Sequence, residues 1–200
     1  MQSDSPTSGW TMLHDRFYRK LEFYTLVWNE IDLAKFIVAV APYGGPIGVM
    51  GVGASMERCI DSLSFSPTFP TFYTSQWDKG RIAGMGWTNT EHLITVLDNG
   101  TVRVYHMHGE PTQFSLGEEA AEFGILEAQV WESGLVALTG NLQLVYVTDL
   151  DEPRPKTLAN PELKEAPHCW TIIPPEYTLS GHLEVLLAVD STVLVADPTS

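Results

Sequence analysis

A strand–turn–strand phrase returns along this sequence, each time with a tryptophan beside its first turn. Residues 93–105, LITVLDNGTVRVY, carry its clearest half. Leu93, Thr95 and Leu97 alternate in facing with Ile94, Val96 and Asp98. Asp98-Asn99-Gly100 supplies residues that tolerate positive φ, and Val102, Val104 and Tyr105 rebuild a strand. The pattern predicts a β-hairpin with a two-residue turn and positive φ at Gly100. Just upstream, GMGWTNTEH reads as a strand ending at Trp87 and then a polar turn. The same order follows in LEAQVWESGLVALTGNLQLVYVTDL, anchored by Trp131, and in HCWTIIPPEYTLSGHLEVLLAVDSTVLVADP, with Trp170 in the anchor place. An earlier copy, FYTLVWNEIDLAKFIVAVAPYGGPIGVMG, carries Trp28.

Trp87, Trp131 and Trp170 are 44 and 39 residues apart. Repeats of about 40 to 45 residues, each several strands long, are the signature of propeller blades. A blade is a small antiparallel sheet that buries its faces on its neighbours. Long amphipathic helix patterns are missing, and LGEEAAEFGILEA holds one short helix at most. The fold class expected is therefore all-β, a WD40-like β-propeller with about four blades near 17–50, 78–110, 123–150 and 167–198. Residues 1–16 read as an N-terminal tail. Residues 51–77, rich in Ser, Pro and Thr, read as a variable insert that lengthens the step from Trp28 to Trp87. Propellers close with four to eight blades, so these copies read as either a small closed four-blade ring or, in preference, the first half of a larger ring.

Charge and motif content narrow the function. The net charge is −14, which repels nucleic-acid phosphate and an anionic lipid leaflet. The richest cationic run, Arg16-Phe17-Tyr18-Arg19-Lys20, reads as an edge segment with solvated charges. Cys59 and Cys169 lie far apart and lack metal-ligand spacing, which fits a reducing compartment. Residues 36–56 carry no charge until Glu57, yet their prolines and glycines break a membrane helix into strand and turn pieces. YGGPIG lacks the Lys-Ser/Thr ending of a phosphate loop. The sequon Asn99-Gly100-Thr101 is explained by its turn.

His106 and His108 share one side of a strand if it runs through them, but a metal needs a third or fourth ligand. His14, His92, His168 and His182 are scattered, so metal ligands are expected to be none. Glu91 and the adjacent Glu118 and Glu119 do not form an acid–base pair, and no nucleophile sits beside a histidine, so catalytic residues are none as well. Cofactors are none. The recurring tryptophans read as core, and Trp10 and Trp77 fall outside the repeat. Two classes remain: an interaction scaffold, or a propeller hydrolase or other interaction propeller whose site lies beyond these residues.

FYRKLEFY with a tryptophan shortly after, VAVAPYGGPIGVM, GWTNTEHLITVLDNGTVRVYHMHGE, GLVALTGN and APHCWTII follow one another in order. Together, from about Phe17 to Asp197, they resemble the N-terminal propeller of the vacuolar protein sorting family Vps-sixteen, a core member of the HOPS and CORVET tethering complexes. The resemblance implies a cytosolic, non-enzymatic scaffold, peripheral on endosome and vacuole or lysosome membranes without direct insertion, acting in vesicle fusion. Its implied partners are the other subunits of those complexes and, through them, Rab GTPases and SNAREs. A Sec/Munc-type partner is held in the family by an α-solenoid absent from these 200 residues. Within the resemblance, Gly44, Gly45, Pro46 and Gly100 are backbone-shape residues, and Trp87 and Trp170 are packing residues.

Overall fold

The computed structural model describes residues 10–19, 36–42, 47–51, 59–66, 69–75, 80–106, 111–159 and 162–199. The chain divides at Asp32/Leu33 into two compact units. In the first, β1 (Trp10–Leu13) pairs antiparallel with β2 (Arg16–Arg19) across a turn where His14 takes φ 53°. This corrects two expectations: residues 10–13 of the tail are a strand, and Arg16–Arg19 pairs with them in a sheet of its own.

Among the described residues the second unit contains four antiparallel sheets. The first is β3 (Phe36–Val40), β4 (Ile47–Gly51), β5 (Cys59–Ser66) and β6 (Phe69–Ser75). The second is β7 (Ile82–Trp87), β8 (Leu93–Leu97), β9 (Thr101–Tyr105) and β10 (Thr112–Ser115). A short helix, α1 (Glu118–Phe123), leads to the third: β11 (Ile125–Trp131), β12 (Gly134–Thr139), β13 (Leu144–Val147) and β14 (Lys156–Thr157). The fourth has three strands, β15 (Cys169–Ile173), β16 (Glu184–Val189) and β17 (Thr192–Ala196). Each sheet meanders in chain order, as a propeller blade does. The segment read as an insert supplies β5 and β6, half of the strands of the first sheet.

The core lies between the sheets. Met50, Ile82 and Leu97, with Ile37 and Met85, fill the space between the first and second. Ile94, Val96, Val102 and Val104 meet Leu135, Ala137, Val145 and Val147 between the second and third. Val136, Leu138, Leu144 and Tyr146 meet Trp170, Val185 and Leu187 between the third and fourth. Successive residues of β12 thus serve two different clusters, because side chains alternate across a strand. Each fully buried Leu or Val contributes about 1.5–3 kcal/mol on this kind of site.

The first strands of consecutive sheets lie side by side. Trp87 donates its indole N–H to the Ala39 carbonyl, 3.1 Å away, tying β7 to β3. At Gly84 a Cβ would stand 2.2 Å from the Ala128 carbonyl oxygen, so only glycine lets β7 approach β11 this closely. Gln129 donates to the Trp170 carbonyl (2.9 Å) and Trp170 donates its indole N–H to Glu127 (2.9 Å), tying β11 to β15. A register shift recurs at equivalent points, between Ile82 and Gly84 and between Ile125 and Glu127.

Two local expectations change. The β8–β9 turn is closed by the Gly100 N–H donating to the Leu97 carbonyl (3.0 Å), so Asp98 and Asn99 are its central residues. Gly100 has φ 78°, but Asn99 is not in the positive-φ region that a two-residue hairpin of the Asn-Gly kind requires at both central positions. The Asn99 side chain instead accepts from the Thr101 N–H (3.0 Å), a local bond that favours this wider turn. Trp170 also departs from the repeat. Trp87 and Trp131 end β7 and β11, whereas Trp170 stands second in β15.

Candidate functional site: an interaction surface

His106 follows the end of β9 and packs edge-on against His92, with ring centroids 4.3 Å apart. His92 also lies 3.3 Å, through Nδ1, from the Thr90 hydroxyl. The expectation that His92 stands apart from His106 is therefore corrected. The hairpin register pairs Leu93 with Tyr105, which places the next residues outward, 92 and 106, opposite each other. The pair follows from the three-residue turn centred on Asn99; the two-residue Asn99-Gly100 turn expected from the sequence would have shifted this register by one residue. His108 lies outside the described residues, as do Trp28, Trp77, Gly44, Gly45 and Pro46. Among the described residues no three His, Cys, Asp or Glu side chains gather as a metal's ligands would.

The other candidates are dispersed. Glu118 and Glu119 are exposed in the first turn of α1, and Glu91 takes φ 60° in the β7–β8 turn. Arg16 is exposed and approaches Asp15 at 3.7 Å, a solvated contact worth little. Trp10 is half exposed on β1. Cys169 is free and exposed. No helix among the described residues is long and apolar enough to cross a membrane.

What the second unit does present is apolar sheet surface at its two ends. In the fourth sheet the register aligns Thr171, Leu186 and Val195, and beside them Cys169, Ala188 and Val193. These six share the face turned away from the third sheet. Val193 and Val195 are 65% and 53% exposed there. Val38 and Val40 of β3 are likewise exposed, on the face opposite Ile37 and Ala39, which are turned to the second sheet. Among the described residues β17 has no strand on its outer side, whereas β9 and β13 carry β10 and β14. Its edge, TVLVA, has no charge or proline to discourage pairing. Exposed apolar faces and an open edge of this kind mark a candidate contact surface.

Meandering antiparallel sheets packed face to face, with their first strands adjacent, define the class: this is a propeller-like all-β array of WD40 type. The sequence model for the family described as Vps16, N-terminal region, matches residues 6–196, and the chain belongs to that family. It is 33% identical over 98% of its length to Protein VACUOLELESS1 of Arabidopsis thaliana, covering 25% of that protein. It is 31% identical over 96% of its length to the probable vacuolar protein sorting-associated protein 16 homolog of Schizosaccharomyces pombe, covering 24% of it. To the Dictyostelium discoideum homolog it is 30% identical over 94% of its length, covering 24%. The chain thus spans about a quarter of the curated relatives it matches.

Proposed function

We propose that this chain is a scaffold segment of a tethering complex of HOPS or CORVET type, acting in vacuolar protein sorting and vesicle fusion, and that it carries no catalytic step. Family membership supports the pathway. The observation that carries the scaffold reading is the pair of apolar outer faces on the first and fourth sheets, where Val38, Val40, Val193 and Val195 stand exposed. Exposed apolar surface of this kind is the usual mark of a protein-contact face. Its working partners are the complex's other subunits, with Rab GTPases and SNAREs engaged through them. A Sec/Munc-type partner is engaged outside these residues. With a net charge of −14, the chain reaches endosome and vacuole membranes from the cytoplasm through proteins and not by lipid contact.

The test compares the full-length parent with a form lacking residues 1–200 in cells. Loss of complex assembly or of delivery to the vacuole is the expected result. Unchanged delivery overturns the proposal. So does hydrolysis of a generic ester, glycoside or phosphate by the purified chain, if one point substitution abolishes it.

A further inference from the structure

The connection between the first and second strands of a sheet differs sharply across the array. In the third sheet it is only Glu132-Ser133, between Trp131 and Gly134. In the second it is residues 88–92, folded tightly on themselves by the Thr88 N–H donating to the His92 carbonyl (3.0 Å) and the His92 N–H donating to the Thr88 hydroxyl (3.1 Å). In the fourth it spans residues 174–183. Length added to one copy of a repeat, on one end of the blades, is where repeat proteins carry binding.

This loop is ordered by its own bonds. A 3-10 turn at Pro175–Tyr177 opens it. The Thr178 hydroxyl, 2.8 Å from the His182 carbonyl and 3.2 Å from the Pro175 carbonyl, draws the two arms together. Ser180 donates to Glu184 (2.9 Å), and Leu183 anchors the end in the core at 2% exposure. Yet the two large apolar side chains at its crest point to solvent: Tyr177 is 73% exposed and Leu179 is as open as in an extended peptide. A loop held in shape with them outward presents them, and preorganisation lowers the entropy cost of binding. The charged groups at this end of the sheet are acidic: Glu176 lies within the loop, Glu184 follows it, and Asp197 comes after Ala196, which pairs with Val185.

We infer that the β15–β16 loop is a docking element that seats Tyr177 and Leu179 in an apolar pocket of a partner protein, a pocket rimmed by Lys and Arg. The acidic surroundings of the loop select that rim, and they disfavour an anionic lipid surface as the occupant. The inference rests on the proposal that the parent works within a protein assembly, and it names the contact.

The experiment places a photo-crosslinking amino acid at position 179 of the full-length parent within its purified complex. Crosslinks to another polypeptide, next to Lys or Arg residues, are expected. Leu179→Ser and Tyr177→Ser should each weaken association with that polypeptide at least tenfold without moving the melting temperature, since neither side chain is buried. Glu176→Lys should weaken it less and flatten its salt dependence. Crosslinks confined to the parent's own chain overturn the inference, as does undiminished association of Leu179→Ser. If the unsubstituted parent joins no complex, the proposed function itself falls. If the parent assembles and the Leu179→Ser form assembles equally well, the loop alone is wrong.

Discussion

The interior sheets and the end sheets use nearly the same residues to different effect. All five residues of β8, all six of β12 and all four of β13 are buried. In β16 only Val185 and Leu187 are, and in β17 only Ala196. β3 buries Ala39 alone. A strand covered on both faces shows no alternation of burial, and a strand covered on one face shows it plainly. Continuous burial in β8, β12 and β13 therefore marks the middle strands of sheets with two neighbours, whereas β9 and β11 of the same sheets are only partly buried. The residues do not differ in kind: VLLAV in β16 is as apolar as LVALT in β12. Sequences suited to two-sided burial, with one side open, mark the surfaces that a further sheet or a partner must cover.

The interior strands approach most tightly where β7 meets β11 at Gly84. Gly84→Val would drive a side chain into the Ala128 backbone, at a point where the Cβ alone already overlaps the carbonyl oxygen. Destabilisation of more than about 3 kcal/mol is expected, because neither strand can retreat without opening the clusters on both sides. Urea denaturation of the variant measures it. A midpoint near that of the parent sequence would show that the sheets pack more loosely than described.

The same contrast explains what was legible in the sequence. Strands β7, β8, β9, β11, β12, β13, β16 and β17 are spelled out by apolar runs and turn residues, and the repeat they form points to a propeller. The outermost strands are not. Thr112–Ser115 and Lys156–Thr157 are largely exposed and polar, with nothing to bury and so no hydrophobic period to read. Residues 51–77 read as an insert because CIDSLSFS and FPTFYTS within them mix Ser, Thr and Pro with their apolar positions. Propensity gave way there to backbone pairing with β4. The misplacement of Trp170 has a different source. Its indole is tied to Glu127 across the sheets, so it answers a contact between blades and not a position within one. The His92–His106 contact was not legible, because the expected two-residue turn shifts the hairpin register by one residue.

A smaller effect separates the two faces of the third sheet by pH. Burial between the third and fourth sheets pushes the Tyr146 phenol above its ordinary value of about 10. The unfolded chain then loses this proton at lower pH than the folded one. The stability involved is complete below about pH 10 and is lost as pH rises from there through the folded value. Tyr146→Phe should remove this component, so its denaturation midpoint should fall less steeply than that of the parent sequence between pH 9 and 11.5. Parallel slopes would mean that Tyr146 ionises freely, and that the interface with the fourth sheet opens to water.

The smallest effect is expected on the outward face of the fourth sheet. Val195→Lys puts a charge where the side chain is already more than half exposed, opposite half-buried Leu186. In the 200-residue chain nothing is desolvated by the change, so it should cost about 0.5 kcal/mol or less. A lysine can lay its methylenes on Leu186 and keep its ammonium in water, and a charge on an edge strand also discourages self-association. In the full-length parent the same substitution meets whatever covers this face. If a further sheet packs there as the third sheet packs on β16, the lysine is buried without a partner, and the cost should rise to about 3 kcal/mol or more. Thermal melting of both forms, with and without the substitution, reads the difference directly. Equal small costs in both would mean that the face stays open in the parent, and its apolar residues would then have to be assigned to contact with a separate protein.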